Sequence, residues 1–161
     1  MKSKAVFISA AVCFLAVLGM ILSFALTCGK SKQAEFIPPP FENAAQSGMP
    51  DVNDESLTQI HTDKMSFSAH INGKVILNGS SSDLYFTNDG GNKVWLKLRI
   101  LDKDDNIIAE TGLLKPNEYL KTVKFDTVPK SGASIKLKIM AYEPETYYSA
   151  GAVTLNTVVG G

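Results

Sequence analysis

Three groupings of side chains in this sequence are of types that bind or react. The first is Tyr142-Glu-Pro-Glu-Thr-Tyr-Tyr148, which gathers three tyrosines and two carboxylates around Pro144. Tyrosine gives large contact area for little lost side-chain entropy, so a tyrosine-rich loop suits a contact surface. Paired carboxylates are also the equipment of glycoside hydrolysis, but there they must face one another across a sugar at about 5–9 Å. Nothing in the spacing of Glu143 and Glu145 builds a cleft around them. The plainer alternative is that the tyrosines pack at a sheet edge.

The second grouping, Asp102-x-Asp104-x-Asn106, has the oxygen spacing that opens a calcium loop. An EF-hand needs Gly at the sixth position and Glu at the twelfth. Ile107 and Leu113 stand there, so that reading fails. What remains is a hairpin tip, where Asp and Asn bond to their own backbone in water, with weak Ca²⁺ binding as the alternative. The third grouping is a set of cations with aromatic neighbours, Trp95, Lys97 and Arg99 in one segment and Lys136, Lys138 and Tyr142 in another. Whether they meet depends on the elements that carry them.

Catalytic sets are missing. His61 and His70 are the only imidazoles, and Cys13 and Cys28 both belong to an apolar N-terminal block. No Ser-His-Asp or Cys-His arrangement suggests itself, nor a G-x-S-x-G elbow, a P-loop or a dinucleotide fingerprint. The expectation is a protein that is not an enzyme and that uses no cofactor and no metal.

From Lys64 onward the apolar residues recur with period 2, the mark of half-buried strands. Met65, Phe67, Ala69 and Ile71 alternate with polar residues; Val94, Leu96, Leu98 and Ile100 share a face, as do Ile135, Leu137, Ile139 and Ala141. Breakers at Asn78–Ser82, Asn88–Asn92, Asp102–Asn106, Pro116-Asn117 and Pro129–Gly132 divide the stretch into about eight short strands with no helical period. This predicts an all-β fold, an Ig-like antiparallel β-sandwich over 64–161. Leu96, Leu98, Ile100, Ile135, Leu137, Ile139, Val153 and Leu155 are its expected core.

Parity then places Trp95, Lys97 and Arg99 on the outer face of one strand, and Lys136, Lys138, Met140 and Tyr142 on that of another. In Ig-like sheets the third and penultimate strands are neighbours. Four cations, a Trp and a Tyr would share one face, with Tyr147 and Tyr148 at its end. Like charges facing each other on a sheet are unfavourable, and either local acids or an anionic partner relieves them. The candidate contact surface is therefore Trp95, Lys97, Arg99, Lys136, Lys138, Tyr142, Tyr147 and Tyr148. An anionic cell-wall polymer or another envelope protein is the expected partner, and an ordinary solvated face is the alternative.

Ahead of the sandwich lie two different regions. Residues 1–29 begin with Met1-Lys-Ser-Lys4, and the 25 residues Ala5–Gly29 include 20 apolar ones and no charge. About 20 helical residues cross a bilayer, so 1–29 reads as one transmembrane anchor. A signal-peptide core is shorter, about 7–15 residues; cleavage after Thr27 or Gly29, or lipidation of Cys28, are the alternatives. Residues 30–63 read as a stalk held extended by Pro38-Pro39-Pro40, although Phe36, Ile37 and Phe41 are unusual in a solvated tether. The positive-charge bias puts the N-terminus in the cytoplasm and the C-terminal domain outside the cell membrane. Residues 33–161 hold 12 basic and 16 acidic groups, a difference of −4, which argues against nucleic acid.

Two stretches carry a resemblance. Leu98-Arg-Ile-Leu-Asp-Lys-Asp-Asp-Asn-Ile-Ile108, followed by Leu114-Lys-Pro-Asn-Glu-Tyr-Leu120, resembles the bacterial extracytoplasmic Ig-like modules of the FxLYD kind. Those read hydrophobic strand, D-x-D-G-x hairpin, strand, then L-x-P-G-E; Asp105 and Asn117 stand here where that pattern has Gly. With its anchor, its proline stalk and the string Lys138–Asn156, the chain is similar to small single-pass surface proteins of low-GC Gram-positive bacteria. The resemblance implies a fold and a location, and no established activity. The functional expectation is a non-catalytic binding or adhesion module at the cell envelope; the alternative is a structural subunit of an envelope-spanning secretion or conjugation assembly.

Overall fold

The computed structural model describes residues 36–52, 57–62 and 67–160 of the 161. The anchor read over residues 1–29, with its cleavage and lipidation alternatives, lies outside the described residues. Among the described residues no helix is long and apolar enough to cross a membrane.

Ten strands follow in chain order: β1 (Gln46–Ser47), β2 (Leu57–Thr62), β3 (Phe67–Asn72), β4 (Val75–Ile76), β5 (Ser81–Asn88), β6 (Trp95–Leu101), β7 (Ile107–Glu110), β8 (Glu118–Lys124), β9 (Ser134–Tyr142) and β10 (Ser149–Gly160). They form two five-stranded sheets, one ordered β1-β8-β5-β3-β2 and the other β4-β10-β9-β6-β7. Strand pairs are antiparallel except the short β4–β10 contact. Alternation sorts the side chains: Phe67, Ile71, Leu84 and Phe86 of the first sheet and Leu96, Leu98, Ile100, Ile135, Leu137 and Ile139 of the second are almost wholly buried in one core. Val153 and Leu155, also expected inside, are only partly buried. The reason is position, since β10 has a full neighbour on one side only, and β4 covers its far side at two residues.

The range read as a stalk, 30–63, holds two strands, so the sandwich begins before Lys64. β2 is an edge strand paired with β3 along six residues, and β1 pairs with Glu118 and Tyr119 of β8. Between them and the proline run, Phe41 forms a bridge with Leu113. A proline run cannot donate hydrogen bonds, but its carbonyls accept them. The Leu113 amide donates to the Pro40 carbonyl at 2.9 Å, and the Glu42 amide donates back to the Leu113 carbonyl at 2.9 Å. The Glu42 carboxylate accepts the Gly112 amide at 2.8 Å. An extended segment with satisfiable backbone groups has docked on a sheet edge that would otherwise need water.

The crossing from β5 to β6 is held by a buried amide. Asn88, fully buried, donates from Nδ2 to the carbonyls of Val94 and Leu114, each at 2.9 Å, and accepts from Asn92 Nδ2 at 2.6 Å. Leu114 in turn pairs with Leu96 by two backbone bonds. One side chain thus fixes where Trp95 enters the second sheet.

Candidate contact surface

β6 and β9 are neighbours, and their register brings the expected residues together. Trp95 lies opposite Tyr142, Lys97 opposite Met140, Arg99 opposite Lys138 and Leu101 opposite Lys136. The four cations do share one face. Three of the four do not sit on it as free charges.

Lys97 is only 6% exposed. Its ammonium pairs with Glu110 of β7, and Arg99 pairs with the other oxygen of the same carboxylate. Lys136 reaches Asp105 at the hairpin tip at 2.6 Å. Lys138 makes no ion pair among the described residues. Parity put Lys97 on the solvent side, and a further factor overrides exposure there. Met140, opposite it, is itself buried on the outer face, and the Tyr142 hydroxyl leans back to within 3.8 Å of the Met140 sulfur. Glu110 and Asp105 offset the charge of three of the four cations.

Burial opposes ionisation of Glu110, but hydrogen bonds from Lys97 and then Arg99, together with their charges, outweigh it, and the carboxyl is held below its ordinary range. The sign follows from that direction. The contribution is complete above the unfolded-state value and is lost as pH falls through the lower folded one. Removing the acid strands an almost buried ammonium, whereas removing the lysine leaves Glu110 with Arg99. Glu110→Ala should therefore cost about 2 kcal/mol, discounted because Glu110 is partly solvated, and Lys97→Met under about 1 kcal/mol. Urea unfolding of the two variants measures this; a larger loss from Lys97→Met would contradict it.

The other end of the face is aromatic. The Trp95 ring stands between Phe41, with centroids 4.8 Å apart at 75°, and Tyr147, 5.2 Å apart at 60°. Both are edge-to-face contacts of the favourable kind. Lys115 caps the row, with Nζ 4.7 Å from the Phe41 ring centre. Tyr147 is aimed by its own backbone. It lies at φ 57°, with Glu145 at φ 66°, a region that bulky residues rarely occupy. The loop holds that conformation by bonds from the Tyr147 amide to the Glu143 carbonyl at 3.0 Å and from the Glu143 amide to the Tyr148 carbonyl at 2.8 Å. Tyr148, next to it, is 71% exposed. Glu143 and Glu145 both lie at the surface, and Glu143 accepts from the Thr146 hydroxyl at 3.3 Å.

Phe41 and Lys115 were not singled out from the sequence as members of this patch. The signal was present in the large apolar groups around a proline run. At the Asp102–Asn106 tip, the Asp102 carboxylate accepts the amides of Asp104 and Asn106 at 2.8 and 2.9 Å and the Asn106 side-chain amide at 2.9 Å. The Asn106 side chain, then its backbone amide, hold Asp102 below its usual range. Among the described residues no cluster of His, Cys, Asp and Glu is arranged to hold a metal. No known family matches the sequence, and no curated protein is similar enough to show a relation.

Proposed function

We propose that this chain is a non-catalytic module for binding or adhesion at the cell envelope, carried outside the membrane by its N-terminal segment. Its contact surface is centred on the aromatic end of the β6/β9 face rather than on the cations. The observation that carries this reading is the row Phe41–Trp95–Tyr147 beside a 71% exposed Tyr148. Rings held rigid by packing, next to an open one on a strained loop, are the composition of a contact surface. The paired states of Lys97, Arg99 and Lys136 weigh against an anionic polymer lying along the strands.

The Ig-like kinship is supported by strand order. β7-β6-β9-β10 on one side and β3-β5-β8 on the other correspond to the C′CFG and ABE orders of such sandwiches. Asp105 and Asn117 also take φ of 65° and 64°, the left-handed region that favours the Gly standing there in the FxLYD-type pattern. The alternative reading, a subunit of an envelope assembly, is favoured by the long open edge of β10.

Retention of the full chain on purified cell-envelope material tests the proposal. Tyr148→Ala should weaken retention about tenfold, the scale of one aromatic contact residue, with the thermal midpoint unchanged because the ring is mostly solvated. Lys138→Gln should change retention less than about twofold. Undiminished retention by Tyr148→Ala would overturn the assignment.

A further inference from the structure

Glycine follows asparagine twice in this chain, at Asn72-Gly73 and at Asn78-Gly79. Such a pair can modify itself. The amide nitrogen after an asparagine can attack the side-chain carbonyl carbon, and glycine has no Cβ to obstruct the approach. The fold treats the two pairs differently, and the difference lies in what holds each side chain.

Asn72, at the end of β3, is 9% exposed. Its Nδ2 donates to the Asp83 carbonyl at 3.3 Å, and its Oδ1 accepts the Lys74 amide at 2.9 Å. Both ends of the group are tied, so turning it costs two hydrogen bonds in a buried setting. Asp89-Gly90 could close the same ring and is restrained in a similar way. One Asp89 oxygen accepts the Gly91 amide at 2.8 Å, and the other lies 3.5 Å from His70 Nε2.

Asn78 lies between β4 and β5. It exchanges two backbone hydrogen bonds with Ser81, at 2.7 and 3.2 Å. Gly79, at φ 62°, is the first central residue of the tight turn between them, a position that favours glycine. The backbone here is fixed, but the reacting groups are not. The Asn78 side chain is exposed and makes no hydrogen bond among the described residues, and neither does the Gly79 amide. A Cβ built on Gly79 would meet nothing within 4 Å.

We infer that Asn78 is a site of spontaneous deamidation, while Asn72 and Asp89 are protected by the fold. The Gly79 nitrogen bonds to Asn78 Cγ, the Cγ–Nδ2 bond breaks, and ammonia leaves with the proton that Gly79 gives up. Water then opens the cyclic imide. Opening at the side-chain carbonyl leaves aspartate, and opening at the backbone carbonyl leaves isoaspartate, with a main chain one carbon longer. Either product places a new negative charge in the cleft that Asn78 lines with Lys74 and Asp83. The longer isoaspartate backbone also breaks the match between Asn78 and Ser81, which loosens the join of β4 to β5. The site uses none of the residues of the aromatic end, so it stands apart from the adhesive reading.

Incubation of the full chain at mildly alkaline pH tests the assignment, read by peptide mass and by labelling with an isoaspartyl methyltransferase. In the folded chain Asn78 should lose its amide at least about tenfold faster than Asn72, because Asn72 reacts only when its strand opens locally. In urea the two sites should react at similar rates, since each is followed by Gly and the protection is gone. Asn78→Gln, which would need a larger ring, should abolish the labelling and leave the thermal midpoint unchanged. Equal rates at Asn72 and Asn78 in the folded chain would overturn the inference. So would a folded Asn78 that keeps its amide while the unfolded one loses it, or labelling that persists in Asn78→Gln.

Discussion

Aspartate in place of Asn88 should destabilise the domain by about 4 kcal/mol at neutral pH, and alanine by about 2–3 kcal/mol. The difference is chemical. Asn88 Nδ2 feeds two carbonyls, those of Val94 and Leu114, from a fully buried position. Alanine leaves the Val94 carbonyl without that donor, while the Leu114 carbonyl keeps the Leu96 amide. Aspartate places an acceptor, and a charge, against the same two oxygens. A carboxyl so placed is stabilised by protonation, so the deficit of Asn88→Asp should shrink as pH falls and the acid regains a proton to donate. Urea unfolding across pH measures both effects. An aspartate variant as stable as the wild type at pH 7 would show that the clamp at the β5–β6 crossing does not matter.

Alanine at Gly112 should release the docked segment Pro40–Glu42. A Cβ built there would sit 2.5 Å from the Glu42 nitrogen, 2.6 Å from its Cα and 2.7 Å from the Phe41 carbonyl carbon. These are backbone atoms with no flexible end to swing aside. Three hydrogen bonds that tie Pro40 and Glu42 to Gly112 and Leu113 would be lost, with the Phe41 contact to Trp95. At roughly 1 kcal/mol per bond the local loss is about 3 kcal/mol, enough to leave the segment mostly undocked while the core persists. Protease cleavage near residues 40–48 should accelerate on the order of a hundredfold, the conversion of that loss to a population of open segment. Cleavage at the wild-type rate would mean that the segment is held by something other than this close approach. Retention on envelope material should fall as well, because Phe41 backs the ring at the centre of the proposed surface.

These two sites mark where sequence reasoning reached and where it stopped. The strand pattern and its breakers located β3 to β10 and six deeply buried core residues, because one buried face leaves a trace at every second position. It also placed the cations and Trp95 on one face, since side-chain parity along β6 and β9 is a local property. Partner choice across the sheet is not local. Glu110 lies eleven residues from Arg99 in the chain, and nothing in its vicinity in the sequence marks it as the acid shared with Lys97. Asn88 looked like one more turn residue because Asn is common in turns for a local reason, whereas here its side chain spans 26 positions to Leu114. Gly112 carried no signal, for its smallness answers to a backbone segment seventy residues earlier. The docked segment escaped for the same reason: a proline run reads as a tether until its carbonyls are seen accepting from Leu113.

The proposed contact lies at the aromatic end of the β6/β9 face. A photo-reactive side chain at Tyr148, compared with one at Ser131, tests it most directly. Ser131 lies before the start of β9 and Tyr148 beyond its end, so the two are separated by about 30 Å of strand. With the full chain on purified envelope material, illumination should cross-link from position 148 and leave position 131 free. Equal adducts from both positions, or adducts from 131 alone, would mean that contact is made elsewhere than at the aromatic end.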